Sequence, residues 1–359
     1  MHAIGHWFRR HFSDPQILFL AFSLLSVLVI VITLGNMLTP VFASIVIAYL
    51  LEGAVGFLER KGWPRLLGSL VALLGFMLFL ASLLLLVLPL LWRQATDLVQ
   101  QLPGMLTTWQ QALMGLPQRY PELVTNEQIH TLINTIRAEI LYFGQKLVSL
   151  SMSSVVGMIT VIVYLILMPL LVFFFLKDKE LILDWFKGYL PRHRRIAGSV
   201  WQEVDRQIYN YVRGKVWEIL IIWAVSFAAF SAFGLNYALL LAVLVGLSVI
   251  VPYIGASVVT IPVVLIAWFQ WGWSPQLLWL SVVYLIIQAA DGNVLVPLLF
   301  SEVVNLHPVA IIVAILVFGG IWGFWGVFFA IPLATLVQAV LCAWPQEKLR
   351  EVAKARPSA

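Results

Sequence analysis

One cysteine is present in the whole chain, Cys342. That excludes a disulfide framework and any zinc site built on cysteines, and it leaves the redox compartment open. Charge is also scarce: Asp, Glu, Lys and Arg make up 11% of the 359 residues, against 62% hydrophobic. A core that hid so much apolar surface from water would exceed any soluble domain of this length, so lipid must be the solvent for most of it. A mean hydropathy of +0.96 agrees. Several chemical signatures are missing as well. There is no His-Glu-x-x-His pair, no Gly-x-Ser-x-Gly nucleophile turn, no Gly-x-x-x-x-Gly-Lys-Ser/Thr phosphate loop and no His/Cys cluster. Metal-assisted hydrolysis, nucleophilic catalysis and ATP-driven pumping therefore lack their parts, and the expectation is a protein that is not an enzyme and needs no cofactor or metal.

What charge there is follows a pattern. The net +5 comes from Lys and Arg in the short connections between apolar runs, the distribution that the positive-inside bias produces, and not from one basic face suited to nucleic acid. The chain divides accordingly into N-terminal membrane helices (1–92), an outer helical insert (93–151) broken at Pro103, Pro117 and Pro121, a membrane helix (152–176), a cytoplasmic amphipathic connection (177–216), a C-terminal membrane region (217–342) and a cytoplasmic tail (343–359). Residues 17–34 are long enough to span the membrane, and the Gly35-Asn36-Met37-Leu38-Thr39-Pro40 stretch reads as a turn that makes them one arm of a hairpin. With Arg60, Lys61 and Arg65 in the next connection, this hairpin places the N-terminus in the cytoplasm, and Lys348, Arg350, Lys354 and Arg356 mark the C-terminus as another cytoplasmic end. In the connection that follows Leu176, Ile196, Val200, Val204, Ile208 and Val212 recur every fourth residue, the stripe of an amphipathic helix. Trp63, Trp92, Trp271, Trp273 and Trp344 fall near predicted span ends, where aromatic side chains meet lipid headgroups.

Between Glu218 and Asp291, and again between Glu302 and Glu347, no charged residue occurs. Each of these stretches contains a long apolar run interrupted in its middle. The first, residues 238–269, breaks at Pro252-Tyr253-Ile254-Gly255; the second, residues 308–341, breaks at Gly319-Gly320 and Gly323-Phe324-Trp325-Gly326. An Ile-Pro pair follows each break, at Pro262 and Pro332, and an ordinary span precedes each run. The architecture expected is all-α and polytopic, with five to eight crossings. The two runs are either re-entrant half-helices in an inverted repeat, a recurring transporter plan, or long kinked spans.

The elements Tyr211 to Lys215, Ile250 to Gly255, Asp291-Gly292-Asn293 through Pro297, Asn305-Leu306-His307-Pro308, Gly323 to Gly326 and Ala330-Ile331-Pro332 together resemble the autoinducer-2 exporter family of PerM-type permeases, in segment order from about residue 15 to residue 342. The resemblance implies transport, a bacterial cytoplasmic membrane and homo-oligomers, but no particular substrate. This chain has Lys215 where members usually have Gln, and Asp291 where they usually have Glu.

Asp291 interrupts an apolar helix, at a cost of about 2.5 to 3.5 kcal/mol on insertion scales. Holding a cation, relaying a proton or pairing with Lys or Arg would offset that. Gln288, Asn293, Asn305 and His307 flank the same helix end, and with Asp291 they form the candidate solute or ion path. Pro252, Tyr253, Gly255, Pro262, Gly323, Gly326 and Pro332 are expected to shape the two broken turns. Lys215 and Glu218 are spaced to pair, and Glu52 falls near the inner end of the second span. The leading functional expectation is gradient-driven movement of a small polar or amphipathic solute. A sodium or other cation/proton antiporter and a non-transporting membrane partner are the alternatives.

Overall fold

The computed structural model describes residues 15–114, 155–189, 195–300 and 306–338, with isolated positions between 127 and 142. Every regular element among them is helical: α1 (Pro15–Arg60), α2 (Arg65–Ser82), α3 (Leu88–Met114), α4 (Val155–Lys177), α5 (Lys179–Tyr189), α6 (Arg195–Ala232), α7 (Ala238–Ser248), α8 (Ile254–Trp271), α9 (Pro275–Ala290), α10 (Val296–Phe300) and α11 (Pro308–Phe328). Among the described residues six segments are long and apolar enough to cross a membrane, so the chain is an all-α polytopic membrane protein.

The expected hairpin at Gly35 to Pro40 is not there. Helix α1 runs unbroken for 46 residues with Pro40 inside it, and the argument that put the N-terminus on the same side as Arg60 goes with the hairpin. Proline removes one backbone donor, the one that would bond Asn36 O, and the helix nevertheless continues; hydroxyls on either side add bonds to it, Thr39 Oγ1 donating to Gly35 O at 3.3 Å and Ser44 Oγ to Pro40 O at 2.6 Å. Gly35 has a packing role instead of a turning one. A Cβ there would lie 2.6 Å from Trp322 Nε1, whose ring also meets Phe42 edge-on at 4.6 Å between centroids.

Two other expected breaks are absent as well. Helix α2 continues through a π-helical turn at Leu83–Val87 into α3, across residue 92 and past Pro103. Helix α6 carries the amphipathic stretch and the following span as one rod, so the division at residue 216 falls inside a helix. The outer insert beyond Met114 lies largely outside the described residues.

One end of the bundle is tied by ions. Arg65 pairs with Glu52 at 3.3 Å and Glu59 at 3.2 Å, Lys179 with Glu52 at 3.0 Å, and Arg65 Nε donates to Leu176 O at 2.9 Å. The end of α1, the start of α2, the end of α4 and the start of α5 therefore share one side, and Glu52 is a structural bridge there. The opposite end is tied by amides. Gln94 Oε1 accepts from Leu240 N at 2.9 Å, capping α7, whose own N-cap residue Tyr237 offers no side-chain bond. Gln270, in the last turn of α8, accepts from Asn236 N at 2.7 Å and donates to Gly234 O at 2.8 Å.

That last pair of bonds decides what the first broken run does. Residues 234–236 immediately precede α7 and Gln270 nearly ends α8, so the run starts and finishes on the same side. Helix α7 has 11 residues, about 16 Å at 1.5 Å per residue, about half the ~30 Å hydrocarbon layer. Helices α7 and α8 are the legs of a helical hairpin.

Candidate functional site

The tip of this hairpin is tight. Ile254 N donates to Pro252 O at 2.7 Å across Tyr253, whose φ of 65° and ψ of −48° make a γ-turn of the rare, strained hand. Gly255 then lies directly on the end of α7: a Cβ would be 1.8 Å from Ser248 O. The second run repeats this arrangement. Gly323 leaves helical geometry at φ 58°, ψ −134°, and a Cβ on Gly326 would be 1.8 Å from Phe318 O. By length alone α11 counts as one span, but the backbone at Gly323 breaks it, and the return leg continues through residues 330–338. Both runs thus fold a glycine back onto a carbonyl seven or eight residues earlier.

The two tips border one apolar cluster. Ile250 and Val251 from the first, and Trp325, Val327, Phe328 and Phe329 from the second, pack with Tyr211, Val212 and Phe300. Pro332, on the return leg, is buried beside them, whereas Pro262 lies within α8 without ending it.

Three ionisable side chains are buried beside that cluster. Lys215 is 3% exposed, Glu218 2% and Asp291 9%. Lys215 Nζ lies 2.6 Å from Glu218 Oε2, donates to Val249 O at 2.8 Å and sits 5.3 Å from the centre of the Phe300 ring. The short Lys215–Glu218 distance is an ion pair without hydrogen-bond alignment, since Glu218 Oε2 has no hydrogen-bond partner among the described residues. Val249 caps the C-terminal end of α7, where the helix dipole favours a cation. Asp291 is near enough for its charge to act on both Lys215 and Glu218, yet its Oδ1 has no hydrogen-bond partner among the described residues. It opens a π-helical turn, Asp291–Leu295. Such a turn adds a residue locally and re-aims the side chains around it.

The remaining sequence candidates disperse. Gln288 Nε2 donates to the Tyr284 hydroxyl at 2.7 Å, which also accepts from Thr260 Oγ1 at 3.3 Å; this small network joins α9 to α8. Asn293 is exposed and donates to Ala289 O on its own helix at 2.8 Å. His307 caps α11, its Nδ1 accepting from Val309 N at 3.3 Å. Asn305 lies outside the described residues. Local pattern does not reveal that Thr260 and Tyr284 meet, although each is a polar group in an otherwise apolar run. No group of side chains suited to holding a metal ion occurs among the described residues.

A family model described as "AI-2E family transporter" matches residues 17–346. The chain is 47% identical over 345 residues to the protein named "Putative permease PerM" of Escherichia coli K12, covering 96% of this chain and 98% of that one. It is 28% identical over 306 residues to "Putative transport protein YrrI" of Bacillus subtilis, covering 84% and 85%. A "Putative transport protein" of Thermotoga maritima is 22% identical over 330 residues, covering 91% and 94%. These names are those of transporters and not of enzymes, in agreement with the resemblance drawn from the motifs.

Proposed function

Because the chain belongs to the AI-2E family of transporters, we propose that it is a permease of the bacterial cytoplasmic membrane that moves a small polar or amphipathic solute outward along a gradient, a signalling molecule being the class the family description suggests. The observation that carries this reading is the pair of helical hairpins whose tips flank one cluster beside buried Lys215, Glu218 and Asp291. Half-helix ends set inside a bundle leave backbone donors and acceptors free to hold a solute where lipid offers none. Counterflow of autoinducer-2 in proteoliposomes tests it. Flux above protein-free vesicles is the expected result; no flux of this or related small polar solutes would sink the reading. Asp291 favours cation/proton antiport as a second reading, and pH-dependent sodium exchange in the same vesicles would establish it.

The proposal extends to orientation and assembly. Arg60, Lys61, Arg65, Lys177 and Lys179 gather at the ion-tied end, which the positive-inside bias assigns to the cytoplasm together with the basic C-terminal tail. The Gln94 and Gln270 end then faces outward. An unbroken α1 that crosses once carries its ends to opposite faces, so this assignment covers the Arg60 end and not the N-terminus. Exposed apolar faces on α2 and α3 suit lipid and, in a homo-oligomer, neighbouring copies. In a Cys342→Ser background, Trp273→Cys, at a position 90% exposed, should react with an impermeant thiol reagent in intact spheroplasts, and Lys61→Cys only after lysis. The reverse pattern would invert the assignment.

A further inference from the structure

The buried trio is not neutral when all three of its groups are ionised. Lys215 contributes one positive charge, Glu218 and Asp291 two negative ones, so the fully ionised trio is one positive charge short. A net charge in low-dielectric surroundings costs several kcal/mol even after relaxation, and neutrality is the state such a pocket favours. Among the described residues no other titratable side chain is available from the elements packed against the turn that Asp291 opens: α10 contains none, and α9 contributes only Tyr284, whose hydroxyl is engaged by Gln288 and Thr260. From α6 come Lys215, Glu218 and Tyr211.

The geometry says which carboxyl lacks its counter-charge. The ammonium of Lys215 is committed to Glu218 at 2.6 Å, to the Val249 carbonyl at 2.8 Å and to the face of Phe300, while Asp291 Oδ1 is buried without a hydrogen-bond partner among the described residues. We infer that Asp291 is a proton-binding site that holds one proton in this conformation, and that Lys215 is a tethered cation which moves to Asp291 when that proton leaves. The proton comes from and returns to water: Asp291–COOH gives carboxylate plus H⁺, and the ammonium keeps its charge throughout. Because Lys215 also holds the carbonyl that ends α7, its departure would release the tip of the first hairpin, and protonation would be linked to the position of that tip. The inference rests on the reading of this region as the transport centre and deepens it by naming the coupling ion as a proton. A sodium ion would need several oxygen ligands here, and it would have to compete with the ammonium for Glu218 Oε2 and the Val249 carbonyl.

Infrared spectroscopy of the purified protein at neutral pH tests this without any solute, so it can fail or succeed independently of the flux assay. Wild type should show a protonated-carboxyl band that shifts in heavy water, and Asp291→Asn should lose it. Glu218→Gln, which leaves a near-isosteric side chain, frees Lys215 to pair with Asp291 and should lose the band too. The double variant Lys215→Met/Glu218→Met leaves one lone carboxyl and should keep it. Exchanging choline for sodium chloride should change nothing. A wild type without the band, a Glu218→Gln protein that retains it, or a band removed by sodium would each overturn the assignment.

Discussion

Gly326→Ala should reduce the yield of folded, monodisperse protein severalfold, and Gly255→Ala should do the same. The added Cβ would lie 1.8 Å from a backbone carbonyl oxygen in each case, far inside van der Waals contact, and a carbonyl ending a half-helix cannot rotate aside as a long side chain could. Either the hairpin legs separate by more than 1 Å or the turn rebuilds, and overpacking of this kind costs about 1–3 kcal/mol or more. Gly320→Ala is the control, in the same hairpin but with nothing within 4 Å of its added Cβ. Size-exclusion profiles of the three variants in one detergent make the comparison. If Gly326→Ala behaved like Gly320→Ala, the close approach of the two legs would be wrong.

Lys215→Met should be the most destabilising single change at the ion trio, by about 3–5 kcal/mol, the usual cost of removing one partner from a buried charge pair. It strands Glu218 and Asp291 together and also leaves the Val249 carbonyl without its donor. Adding Glu218→Met should recover most of the loss, since apolar replacements of similar volume remove the stranded charge rather than expose it. Thermal midpoints followed by tryptophan fluorescence would show a large drop for the single variant and a small one for the double. A double variant no better than the single one would mean that the pair is not coupled.

The helical membrane class was legible because so few charges interrupt the apolar runs, and the hairpins were legible because two runs carry a glycine break at similar spacing ahead of Ile-Pro. The stretch from Gly35 to Pro40 misled for a physical reason. Glycine and proline end helices in water, but inside a membrane bundle the alternative to a hydrogen-bonded helix is an unsatisfied backbone, and Gly35 is kept in the continuous helix as the place where the Trp322 ring packs. Whether a given glycine turns or packs depends on a partner nearly three hundred residues away, which local pattern does not contain.

The candidate site divides along the same line. Asp291 stood out as a lone carboxylate, and the Lys215–Glu218 pair followed from helical spacing. That these three meet depends on α9 packing against α6, so it became visible only in the fold. Asn293 and His307 looked equally suitable by position, yet both bond their own or the adjacent backbone, as Asn and His at helix ends commonly do.

The two ends of the first hairpin are secured by different chemistry. At its base, Gln94 and Gln270 hold α7 and α8 through carboxamides, which neither gain nor lose protons at any pH a cell encounters. At its tip, Val249 is held by an ammonium that answers to two carboxyl groups. An acid or alkaline shift therefore leaves these carboxamide bonds untouched, whereas at the tip it acts on the groups that hold Val249, so that the element is a lever whose pivot and free end are fastened by different chemistry.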